Sequence, residues 1–104
     1  WGNGKSKREL LYVDDLADAC VYFMNKPSPS LVNIGTGIDK TILQYAKFLQ
    51  RQINYFSTIT LDLSKPNGTK RKVLDVSLAK KLGWTFKTNL EQGTAKTIKS
   101  LISK

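Results

Sequence analysis

Residues Ser64 to Asp75 read S-K-P-N-G-T-K-R-K-V-L-D, turn chemistry followed by three cations and an apolar, strand-like run. Pro66 fixes φ, and Asn67-Gly68 tolerates the positive φ of a tight turn. Lys70, Arg71 and Lys72 then open the run. Cations carried by a tight loop beside a rigid element suit an anion, because Arg offers a planar fork to phosphate oxygens and Lys a mobile point charge. A charge run can equally be a solvated turn, and composition alone leaves both readings open.

Outward from this turn, strand-like runs alternate with helical ones. Leu10–Val13, Leu31–Ile34 and Ile59–Leu63 have the apolar or alternating character of short strands, and Val73-Leu74 with Val76 continues the run after the cations. Asp14 and Asp15 offer N-caps and first-turn negative charge for a helix to about Asn25, with Leu16, Ala19, Cys20 and Phe23 on its apolar face. Lys26 to Ser30 carries two prolines and breaks that helix. Thr41 and Gln44 form a capping box for a helix ending near Asn54, its core side Leu43, Ala46, Leu49 and Ile53, flanked by Ile42 and Tyr45. Ser77–Leu82 is a short helix closed by Gly83. Asn89 and Gln92 cap a last helix to about Ser103, with Ala95, Ile98 and Ile102 inward. Alternating short strands and helices predict an α/β fold, a small sheet of three to four strands with about four helices. Trp84 reads as core.

Composition narrows the function. The chain has 104 residues, 40% of them hydrophobic, and 17 Lys and Arg against 8 Asp and Glu give a net charge of +9. One domain of modest core is expected, with an anionic partner. The lone Cys20 reads as a packed core residue; it excludes an internal disulfide and argues for a reducing compartment. No apolar run approaches bilayer length, and no signal-peptide pattern is present. The absence of His removes Ser-His-Asp and Cys-His catalysis, and with one Cys it removes the common zinc sites. Gly35-Thr36-Gly37 follows a strand-like run, but the G-x-G-x-x-G spacing fails at Lys40, so it reads as a turn connecting strand to helix. Trp1, with no Met before it, suggests a piece cut from a longer protein.

Three segments occur in a telling order: R-E-L-L-Y-V-D-D-L-A-D-A (Arg8–Ala19), V-N-I-G-T-G (Val32–Gly37) and S-K-P-N-G-T-K-R-K-V-L-D-V (Ser64–Val76). The first two resemble nucleotide-sugar epimerases and dehydratases of the extended short-chain dehydrogenase/reductase family. The third, with the opening W-G-x-G, resembles the GDP-L-fucose synthase branch, and the likeness covers essentially the whole chain. That branch makes GDP-L-fucose from GDP-4-keto-6-deoxy-D-mannose by epimerisation and NADPH-dependent reduction. The resemblance implies that residues 1–104 are its C-terminal, substrate-binding part. The NADPH site and catalytic residues would lie in an N-terminal Rossmann domain absent from this sequence, so the chain alone would be inactive. It also implies a GDP-sugar partner, a possible homodimer of the full enzyme and a cytoplasmic location, with no membrane and no metal.

Matching motifs carry substrate contacts to Trp1, Arg8, Asn67, Arg71 and Lys72. No catalytic or cofactor-binding residue is carried over. Three positions depart from the family: Asn67 stands where Asp is usual, Lys70 where Pro is usual and Tyr12 where His is usual. Asn67 would give a neutral contact, Lys70 could add charge to the pocket, and Tyr12 is expected to pack. Rival readings are a small nucleic-acid-binding module, motivated by the charge but weakened by the dispersal of cations and aromatics, and a docking or dimerisation module.

Overall fold

The computed structural model describes residues 1–26 and 31–103. Its elements are strand β1 (Lys7–Glu9), helix α1 (Val13–Met24), strand β2 (Asp39–Thr41), helix α2 (Ile42–Ile53), strand β3 (Arg71–Lys72), and helices α3 (Ser77–Lys81) and α4 (Leu90–Ile102). The α/β class, the three-stranded sheet and the four helices agree with the sequence reading. The sheet order is β2-β1-β3, with β1 antiparallel to β2 and parallel to β3.

The strands themselves are not the expected ones. None of the apolar runs Leu10–Val13, Leu31–Ile34, Ile59–Leu63 and Val73-Leu74 forms a strand, whereas K-R-E, D-K-T and R-K do. Val13, the last residue of the first run, already opens α1. Hydrophobicity marks strands buried in a core, and this sheet is held instead by backbone pairing and polar side chains, so periodicity does not find it.

The chain folds into two compact units. The first comprises Trp1–Glu9 and Ile38–Val73, the second Leu10–Gly37 and Leu74–Lys104.

In the first unit, α2 begins as its sequence dictates. Thr41 accepts from the Gln44 N–H and Gln44 reaches back to the Thr41 N–H, a complete capping box. The next orphan amides of the helix are taken up by the N-terminal loop: Ile42 donates to the Ser6 carbonyl at 2.9 Å and Leu43 to the Gly4 carbonyl at 3.0 Å. Tyr45 is the buried residue of α2, with its hydroxyl donating to the Arg8 carbonyl at 2.8 Å. Leu43, Ala46 and Phe48 are half-buried, but Leu49 and Ile53 are exposed, so the expected apolar face is rotated toward Tyr45. Asn54, left-handed at φ 54°, ends the helix.

In the second unit, Ala19, Ala79 and Trp84 form the buried centre, with Tyr22, Phe23, Val32, Ile34 and Phe86 packed on it. Trp84 is core, as read from the sequence. Cys20 is not: it is exposed, and Leu16 on the same helix is exposed too. The inward face of α1 is Asp15, Ala19, Tyr22 and Phe23, because Asp15 rather than an apolar residue anchors its first turn. Asp15 accepts from the Lys87 N–H at 3.0 Å, the Thr88 N–H at 2.8 Å and the Thr88 hydroxyl at 3.3 Å. The N-cap position falls to Tyr12, which makes no side-chain cap, so neither Asp14 nor Asp15 caps α1, though both place negative charge in its first turn as expected.

Trp84 donates its indole N–H to Asp18 at 2.9 Å, and Lys87 pairs with the same carboxylate at 2.7 Å. Those two donors hold the Asp18 carboxyl below its usual range, Lys87 first. Asn89 and Gln92 complete the capping box expected for α4. On that helix Gly93 is buried and Ile98 half-buried, while Ala95 and Ile102 are exposed, correcting the expected inward set. Gly93 is small because Tyr12 lies against it; an added Cβ would sit 3.2 Å from the Tyr12 Cβ. Tyr12 thus packs, as expected. Gly83, at φ 98°, follows α3 as the expected terminating glycine. Pro27–Ser30 of the expected helix-breaking loop lie outside the described residues.

Candidate functional site

All five residues expected to contact a ligand lie in the first unit, on two loops and the sheet they enter. The loops Trp1–Ser6 and Ser64–Lys70 are joined along their length. Gly2 donates to the Asp62 carbonyl at 2.8 Å, and the Asn3 N–H donates to Asn67 Oδ1 at 2.8 Å. The buried Ser6 hydroxyl donates to the Asn67 carbonyl at 2.9 Å, and the Lys7 N–H to the Lys70 carbonyl at 2.9 Å. Lys65 Nζ sits 5.6 Å from the Trp1 ring centre, within cation–π range. The W-G-x-G and S-K-P-N-G motifs, far apart in sequence, are one structural piece.

Gly2 makes this possible. Its φ is 72°, and an added Cβ would overlap Asn67 Oδ1 and lie 2.9 Å from the Asn67 Cα.

Arg8 turns back along the same loop. Its Nη1 donates to the Lys7 and Thr69 carbonyls, each at 2.7 Å. An added Cβ on Gly68, at φ 75°, would come 3.2 Å from Arg8 Nη2, so the guanidinium lies over that glycine. Two carbonyl contacts through Nη1 fix the fork, and a ligand can be met through Nε and Nη2.

Arg71 is differently engaged. Its Nε and Nη2 meet Asp39 Oδ2 and Oδ1 at 2.6 and 3.3 Å, a two-point ion pair. Arg71 holds the Asp39 carboxyl below its usual range, and Asp39 raises the Arg71 guanidinium in turn. Lys72 is exposed, and the Trp1 ring is 77% exposed.

The sheet register sorts these groups. Arg8 is opposite Lys40 on β2 and opposite Lys72 on β3, so these three side chains share one face. Lys7, Glu9, Asp39, Thr41 and Arg71 occupy the other, which is where the Arg71–Asp39 pair forms. Sequence reasoning misses Lys40. Only the register aligns it with Arg8, and no local motif marks it.

The Gly35–Gly37 turn does not connect strand to helix as expected: among the described residues no strand directly precedes it, and it runs into β2, where a Cβ on Gly37 would meet Val76 at 3.0 Å. It is a packing turn and does not fit the phosphate cradle of a dinucleotide. No residue of this chain is therefore assigned to NADPH.

Residues 1–35 match the family model of the NAD dependent epimerase/dehydratase family. GDP-L-fucose synthase 1 of Arabidopsis thaliana is 42% identical over 93% of this chain and 30% of its own length. Along nearly its whole length, this chain matches GDP-L-fucose synthases. The GDP-L-colitose synthase of Yersinia pseudotuberculosis is 40% identical over 93% of the chain and 32% of its own length. The fold is similar to that of UDP-glucose 4-epimerase from Thermotoga maritima, solved with UDP-glucose, at a TM-score of 0.91 and 31% identity, covering 99% of this chain and 34% of that one. The resemblance read from the motifs holds, and the chain spans about a third of the length of the curated relatives it matches.

Proposed function

We propose that this chain supplies the nucleotide-sugar-binding part of an NADPH-dependent epimerase/reductase that makes GDP-L-fucose or a closely related GDP-deoxysugar. The hydride transfer and proton transfers would be carried by an N-terminal Rossmann domain of the same protein, leaving this chain alone inactive. The observation that carries the reading is the joined pair of loops, which ties Asn3 and Ser6 to Asn67 and Arg8 to Thr69, with Lys72 opposite Arg8 on β3.

In this reading Arg8 and Lys72 hold the diphosphate, Trp1 offers a flat apolar face to base or sugar, and the Asn67 amide donates through Nδ2 while its Oδ1 holds the loop. Arg71 contributes from the opposite face, bracing β3 through Asp39. Neutral Asn67 and the added Lys70 favour no particular sugar. The exposed Leu49, Ile53, Tyr55 and Phe56 support a role in docking against that other domain. No helix of the described residues is long and apolar enough to cross a membrane. The likeness to GDP-L-fucose synthases is what supports the cytoplasm as the proposed location.

The test is a calorimetric titration with GDP and UDP at low and moderate salt. Saturable binding that prefers GDP and is lost in Arg8→Gln/Lys72→Gln is expected. Equal binding of both nucleotides, erased by salt, would refute the reading. Tighter, steeply salt-dependent binding of a single-stranded RNA would favour the nucleic-acid alternative instead.

A further inference from the structure

We infer that Lys40 is a third phosphate-binding cation, completing a row Lys40–Arg8–Lys72 across one face of the sheet. The inference rests on the nucleotide-sugar reading and extends it to a residue that no motif marks. Like charges directly opposite each other on neighbouring strands destabilise a sheet. Here three cations stand side by side on β2, β1 and β3, while both strand carboxylates, Glu9 and Asp39, occupy the opposite face. Neither the Arg71–Asp39 pair nor the Lys87–Asp18 pair draws on any of the three.

A row of like charges has a physical reason if an anion occupies it. Two strand spacings span about 10 Å, and the flexible Lys stems on either side of the fixed Arg8 fork can close that distance around a diphosphate. The N-terminus of α2, directly after Lys40, offers no competing site. Its first amides donate to Ser6, Gly4 and the Thr41 hydroxyl. Any anion on this face is held by side chains.

The experiment compares GDP affinity of the full chain with that of Lys40→Met, Lys40→Arg and Lys47→Met, at one fixed salt concentration. Lys47 is exposed on α2 and controls for the loss of one charge. Lys40→Met should weaken GDP binding about tenfold, Lys40→Arg should restore it, and Lys47→Met should stay near the unsubstituted value. Lys40→Met should also resist urea at least as well as the parent, because it relieves like-charge repulsion. Equal effects of Lys40→Met and Lys47→Met would overturn the inference and leave the nucleotide-sugar reading standing. Lower urea resistance in Lys40→Met would overturn it as well, marking Lys40 as a support of the sheet. Failure of the unsubstituted chain to bind GDP would overturn both.

Discussion

Replacing Gly2 by Ala should separate the two loops that carry the site. Gly2 sits at φ 72°, where an L-residue carries a strain of about 1 kcal/mol. The new methyl would also overlap Asn67 Oδ1 and crowd the Asn67 Cα, so the loops must part. Parting them breaks Gly2 to Asp62, Asn3 to Asn67 and Ser6 to Asn67. Three partly exposed hydrogen bonds at roughly 0.7 kcal/mol each add about 2 kcal/mol, for a total near ~3 kcal/mol.

Gly68→Ala is the control, because its φ of 75° carries the same strain while its methyl meets only the Arg8 Nη2 atom, at 3.2 Å, and touches neither loop backbone. Urea denaturation followed by circular dichroism, with amide exchange at Asn3, reads both. Gly2→Ala should lose about 2 kcal/mol more than Gly68→Ala and expose the Asn3 amide. Equal losses, with Asn3 still protected, would refute the locking of the two loops.

Other expectations concern the second unit and acid. Asp15→Ala should destabilise by about 3 kcal/mol in urea, since it leaves the Lys87 and Thr88 amides without their charged acceptor; a loss below about 1 kcal/mol would contradict that role. The Asp18, Asp39 and Asp75 carboxyls are all held below the ordinary 3.8. Their stabilisation is therefore complete above that value and is lost as pH falls through the lowered ones. Acid titration of Asp18→Asn/Asp39→Asn should show a shallower fall below about pH 4 than the parent, and an unchanged slope would argue against these pairings.

What can be read in advance depends on whether a residue acts locally. Thr41 with Gln44, Asn89 with Gln92, and Gly83 signal helix ends through neighbours three or fewer positions away, and each stands where expected. The strands fall elsewhere because Val32 and Ile34 are apolar for packing on Trp84 and Ala19 and not for pairing, while K-R-E and D-K-T pair without apolar alternation. Asp15 reads as a cap only because its partners, Lys87 and Thr88, are remote in sequence. The candidate site shows the same division. Its loops are recognisable as motifs, but the link between Asn67 and Asn3, and the alignment of Lys40 with Arg8, exist only once β1 lies between its neighbours.

The parallel pairing of β1 with β3 also governs when the fold can close. Lys7 must wait for Arg71 before its strand has both neighbours, and each unit is assembled from two stretches of chain separated by a stretch of the other. Such long-range pairing slows folding. During synthesis, the cation row stays open along one side until Lys72 has left the ribosome, and no single continuous excision can yield either unit whole.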